Sequence, residues 1–292
     1  MHQRSMQSSV PASAHRRTRG FTLVELIIVI VLMGIIGGIV AVFMKAPIDA
    51  YLSGGRRAAL TDVADTTVRR IARDLRRALP NSVRACSGAN GIQFIPTKTG
   101  GRYRAEGTGA LTFSTAVTSF NMLGDNATFA GAALPLDQII RTNDLIVIYN
   151  LGPGVPNADA YTSPNNYSTV TSLGVSSGGE TPINIASKQF LLASGSSRFH
   201  VVPAGENMVS YVCTANTLSR FVSSAITAPA TCPTTGPAIA INVDCSTTTF
   251  SITDAGNALN RNALVSMRLT IQDSSSTETV TLQHEVHVDN TP

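Results

Sequence analysis

The sequence predicts an α+β chain in which one long N-terminal helix precedes a single antiparallel β-rich domain. Three observations carry this. Residues 21–44 form an apolar run broken only by Thr22 and Glu25. Residues 56–79 repeat apolar side chains every three or four positions, and beyond Pro80 the repeat shortens to two, in short runs separated by turn residues. The chain thus divides into residues 1–20, 21–44, 45–80 and 81–292: a polar leader, a membrane-length helix, an amphipathic helix and a β-rich head.

The leader ends in the basic cluster His15, Arg16, Arg17, Thr18, Arg19 before Gly20. As a helix, the run that follows extends about 36 Å at about 1.5 Å per residue, enough to cross a hydrocarbon core of about 30 Å. Arg16, Arg17 and Arg19 favour a cytoplasmic N-terminus with the remainder exported. An ordinary secretory signal carries small residues after its apolar region, and nothing of that kind follows Met44. The small residue, Gly20, instead precedes the run. A carboxylate inside a membrane costs about 2.5 to 3.5 kcal/mol on insertion scales, so Glu25 requires a reason. Four residues make about one helical turn, which sets Glu25 over the residue 21 amine if cleavage frees one there, within the chain or between subunits.

The segment RGFTLVELIIVIVLMGIIGGIVA, residues 19–41, resembles the class III leader and N-terminal helix of type IV prepilins and type II secretion pseudopilins. The resemblance implies the type IV pilin fold, cleavage by a membrane prepilin peptidase between Gly20 and Phe21, and N-methylation of Phe21. It also implies pairing of Glu25 with the Phe21 amine of an adjacent subunit. The implied partners are that peptidase, other major and minor pilins, and an assembly platform in the bacterial inner membrane. The leader is longer than many in the family, and Met6 is an alternative start.

Pro47 lacks an amide hydrogen and predicts a kink, and Ser53, Gly54 and Gly55 a second weak point. In the next segment Leu60, Val63, Thr67, Ile71, Leu75 and Leu79 form the predicted docking face, and Pro80 the helix end. Asp65 with Arg69, and Arg70 with Asp74, are spaced as ion pairs. Arg73, Arg76 and Arg77 leave a basic stripe. Clustered Arg suits phosphate contacts, but no aromatic residues are interleaved for base stacking, so a solvated face or acidic neighbours on other subunits are favoured over nucleic acid. Residues 56–84 resemble the corresponding helix of the O-type minor pilins of mannose-sensitive haemagglutinin pili, relatives of J-type pseudopilins. GGRYRAEG (100–107), VSYVC with LSRF (209–221) and HEVHVDNTP (284–292) are similar to the same family.

In the head, residues 92–95 and DLIVIY (144–149) read as strands, the latter buried on both faces. Residues 151–187, rich in Gly, Pro, Asn and Ser, read as a long surface loop. Residues 189–193 and 198–202 are expected to form one hairpin, 209–213 and 218–222 a second turning at Asn216, and 263–271 with 279–288 a third. In the last, Val280, Leu282, Val286 and Val288 share a face. Cys86, Cys213, Cys232 and Cys245 lie beyond the apolar run with no CxxC spacing, and an even count in an oxidising compartment predicts two disulfides. Three pairings are open; Cys213 with Cys232 and Cys86 with Cys245 is the expected one.

Charged residues make up 14% of the chain and aromatics 5%, and the net charge of +4 arises from the leader and the helix, leaving the head nearly neutral. His284 and His287 mimic a metal motif, but on a strand they point to opposite faces. No nucleophile elbow, P-loop or dinucleotide fingerprint is present. No enzyme, cofactor, metal or small-molecule substrate is expected. The expected roles are a minor pilin of pilus biogenesis, with a J-type pseudopilin or a tip adhesin or DNA-binding subunit as alternatives.

Overall fold

The computed structural model describes residues 20–227, 232–233, 236–253 and 262–292. Helix α1 (Leu23–Leu75) opens the described chain. The strands follow as β1 (Arg84–Ala85), β2 (Asn90–Phe94), β3 (Thr99–Tyr103), β4 (Val117–Leu123), β5 (Thr128–Phe129) and β6 (Ala132–Ala133). Next come β7 (Leu145–Ile148), β8 (Tyr167–Leu173), β9 (Glu180–Lys188), β10 (Arg198–Val202) and β11 (Met208–Thr214). The last are β12 (Thr217–Ser223), β13 (Ala238–Ile241), β14 (Thr249–Thr253), β15 (Asn262–Gln272) and β16 (Thr279–Asp289). The chain divides into two units at Gly55 and Arg56.

From Leu23 onward the described part of the first unit is helix, apolar to Met44. Its most hydropathic 18-residue window has a mean hydropathy of 3.2 and buries none of its residues. Pro47 lies within α1 and does not end it, and the helix also continues through Gly54 and Gly55. A single proline removes one backbone hydrogen bond, and the turns on either side retain theirs.

In the second unit α1 buries Ala64, Thr67, Val68, Ile71, Ala72 and Leu75. The expected docking face is buried at Thr67, Ile71, Leu75 and Leu79 and partly at Leu60, but Val63 is 43% exposed, and Ala64, Val68 and Ala72 widen the face in its place. Each fully buried Val, Ile or Leu here contributes about 1.5 to 3 kcal/mol. The stripe packs against Phe94, Tyr211 and Val209 from one sheet and Val265, Met267, Val286 and Val288 from another. The helix ends at Leu75 and not at Pro80. Ala78 already forms a bridge to Pro96, and the Leu79 amide donates to the Ile95 carbonyl, so sheet pairing takes over the backbone before the proline is reached.

The strands form a five-stranded sheet (β1-β2-β11-β12-β13), a closed six-stranded barrel (β10-β3-β4-β9-β8-β7), a three-stranded sheet (β14-β15-β16) and the small β5-β6 pair. Phe120 and Phe199, edge to face at 5.6 Å, fill the barrel with Ile146, Ile148, Val170, Ile183 and Ile185. The barrel corrects two expectations. Residues 151–187 contain β8 and all of β9 but Lys188, where Ser168 and Val170, then Thr181, Ile183 and Ile185, alternate inward. Their Thr and Ser content hid an alternation that carries only one or two aliphatic side chains per strand. Residues 189–193 are not a strand, and β10 pairs with β3 and β7. The other two expected hairpins form, β11-β12 turning at Ala215 and Asn216 with φ of 48° and 59°, and β15-β16 in continuous register. Gly91 in β2 is required by close approach, because a Cβ there would lie 2.3 Å from the Tyr211 carbonyl oxygen.

The disulfides join Cys86 to Cys232 and Cys213 to Cys245, not the expected pairs. Neighbouring strand residues point to opposite faces. Cys213 belongs to the face packed on α1, where Cys245 also lies, whereas Cys86 and Cys232 pack with Val212 on the reverse face. The sheet itself separates Cys213 from Cys232.

Candidate functional site

The N-terminus of α1 is built by Thr22. Its Oγ1 accepts a hydrogen bond from the Glu25 amide at 3.2 Å, and its carbonyl accepts one from Leu26 at 3.2 Å. Thr22 is thus the N-cap, and Glu25 the third helical residue, of a Thr-x-x-Glu capping arrangement. Only half of that box is present: among the described residues the Glu25 carboxylate has no hydrogen-bonded or ionic partner. It stands in the first turn, where the helix dipole favours negative charge. Phe21 precedes the cap and is 82% exposed. The cap takes the chain out of helical geometry at Thr22, so Phe21 lies just outside the helix, and the expected pairing of Glu25 concerns an amine that only cleavage would free. In this uncut chain the residue 21 nitrogen is a neutral amide.

Farther along α1, the basic stripe divides. Asp65 and Arg69 pair at 2.6 Å as expected. Arg70 does not pair with Asp74. Asp74 instead accepts from the Tyr211 hydroxyl at 2.6 Å and from Arg220 Nε at 2.9 Å, and Arg220 also binds Glu206. Burial, then the hydrogen bond to Asp74, raises the Tyr211 phenol above its ordinary value. Arg77 turns from the stripe and donates to the Thr97 carbonyl at 3.2 Å. Arg69, Arg73 and Arg76 remain and, with His284 of β16, line an open groove of about 360 Å³ floored by Val68 and Ala72. His284 and His287 lie on opposite faces of β16, as strand geometry requires. The Arg and His284 juxtaposition was missed in sequence because it joins residues more than two hundred positions apart.

Residues 15–41 match the family model of the prokaryotic N-terminal methylation motif. The chain carries the mark of a type IV pilin-like or pseudopilin precursor. That motif is a prepilin peptidase substrate signal, and together with the apolar helix it fits a single-pass membrane anchor. Searches of curated proteins and of solved structures returned no match.

Proposed function

We propose that this chain is a minor pilin of type IV pilus biogenesis, of the mannose-sensitive haemagglutinin kind, and acts as an assembly subunit and not as an enzyme. Prepilin peptidase cuts between Gly20 and Phe21 and methylates the Phe21 amine. The leader side is cytoplasmic, α1 anchors the chain in the bacterial inner membrane, and the disulfide-bonded head is periplasmic. The single observation that carries this reading is a Glu25 carboxylate, without a partner among the described residues, at the capped start of an unburied apolar helix.

Cleavage turns the residue 21 nitrogen into an ammonium. A Glu25 of one subunit and this new cation of the next neutralise one another, which removes the charge penalty of both groups in an apolar medium. The exposed aliphatic side chains of α1 then exchange lipid contacts for contacts with neighbouring subunits in the filament. Glu25→Ala tests the pairing: membrane insertion and cleavage are expected to persist while incorporation into filaments is lost. Normal incorporation of that variant would refute the role assigned to Glu25. A gene located among pilus genes supports this reading, and one within a secretion operon would transfer the chain to the J-type pseudopilins.

A further inference from the structure

We propose that the free edge of β16 and the arginine groove beside it form one site, which receives an extended acidic segment of another protein by strand addition. Two independent features coincide there. The first is an open edge. β16 pairs with β15 on one side over its whole length, Thr279–Asp289, and among the described residues is the terminal strand of its sheet. A long edge of unpaired amides and carbonyls invites another strand, and proteins usually blunt such edges with Pro, Lys, a bulge or brevity. β16 is 11 residues long, contains neither Pro nor Lys, and shows no register shift against β15. By contrast β13, a terminal strand of the five-stranded sheet, is only four residues long.

The second feature is charge. His284 shares a face of β16 with Val286 and Val288, the face that packs on α1, so the groove between His284 and Arg69, Arg73 and Arg76 borders the open edge. Among the described residues Asp65 is the only carboxylate lining that groove, and it is engaged by Arg69. The other carboxylate of this helical segment able to neutralise the stripe, Asp74, is drawn away to Tyr211 and Arg220. Among the described residues Arg73 and Arg76 have no ionic partner.

A strand added to β16 would lie about 4.8 Å from it and turn alternate side chains toward α1. Carboxylates at those positions would enter the groove, where guanidinium forks match carboxylate geometry. The intervening side chains would lie beside the exposed outer face of β16, which carries Glu285 and Asp289, so they should be neutral or basic. The occupant is therefore an extended polypeptide with acid at every second residue. Among the described residues no Phe, Tyr or Trp lines the groove to stack on bases, which favours a polypeptide over nucleic acid. The site does not involve Phe21 or Glu25, so its test stands apart from that of the N-terminal chemistry.

The test uses the full chain in detergent micelles and a capped Thr-Glu repeat peptide about ten residues long. Three controls accompany it: the Thr-Lys analogue, a Thr-Glu peptide N-methylated on its backbone, and a duplex DNA oligonucleotide. The Thr-Glu peptide should bind more tightly at about 0.05 M than at about 0.5 M salt and slow amide exchange at alternate residues of β16. The Thr-Lys and N-methylated peptides should not. Replacing Arg73 and Arg76 together by Gln should weaken binding about tenfold and leave the melting temperature unchanged, since both side chains are exposed. Failure of the Thr-Glu peptide to bind, binding without protection of β16, or equal binding of the N-methylated peptide would overturn strand addition. Tighter binding of the duplex, lost in the double variant, would overturn the acidic-peptide assignment.

Discussion

Removing the two disulfides one at a time should expose their different loop lengths. Cys86 and Cys232 are separated by 146 residues, and Cys213 and Cys245 by 32. In the chain-entropy treatment the first closure restricts the unfolded chain by about 5 kcal/mol and the second by about 4 kcal/mol. The Cys86→Ser, Cys232→Ser protein should therefore unfold at lower urea than the Cys213→Ser, Cys245→Ser protein, by about 1 kcal/mol of stability. Cys86, Cys213 and Cys232 are less than 9% exposed and Cys245 is half-buried, so the hydroxyls introduced burden the Cys86 and Cys232 variant somewhat more, in the same direction as the loop term. Urea titration followed by the β-strand circular dichroism of the full chain in micelles measures the difference. A larger loss from the shorter loop would refute the entropic reasoning, and proteolytic mapping that recovers a Cys213–Cys232 peptide would refute the pairing itself.

Asp74→Ala should destabilise the fold by about 2 kcal/mol, because it leaves Arg220 and the Tyr211 hydroxyl without their shared acceptor, and Asp74→Asn should recover part of the loss in the same titration. Stability should also fall in acid. Burial, then the Arg198 charge, holds His200 down to about 4, and hydrogen bonds from Ser246 and Thr247 hold Asp244 down to about 2. Both groups bind protons more tightly in the unfolded chain, so their contribution is complete above their unfolded pKa values and is lost as pH falls. For His200 the loss runs from pH 6.5 to about 4, with an upper bound of about 3 kcal/mol, and for Asp244 it runs from 3.8 to about 2. Thermal melts should decline across the first window, and His200→Leu should flatten that decline; a wild-type melt independent of pH there would contradict it.

Local rules were legible where one interaction dominated. The apolar run, the Asp65 and Arg69 pair, the turn at Asn216 and the β15-β16 hairpin each follow from spacing of a few residues. What escaped was decided by distant partners. The barrel strands β8 and β9 carry too few aliphatic side chains to stand out against their Ser and Thr, and gain their place from Phe120 and Phe199 across the interior. Asp74 is one helical turn from Arg70, yet the buried Tyr211 and the half-buried Arg220 offer it stronger hydrogen bonds than an exposed pair would. The disulfides follow the faces of β11, which sequence separation does not encode. At the N-terminus the sequence places Glu25 correctly in the first turn, and the capping hydroxyl of Thr22 ends the helix one residue short of Phe21.

The membrane-extracted protein, weighed intact by mass spectrometry and then sequenced from its N-terminus, tests the proposed maturation most directly. A chain beginning at Phe21 and carrying one added methyl group is predicted. A chain that retains residues 1–20, or one cut after Met44, would contradict it.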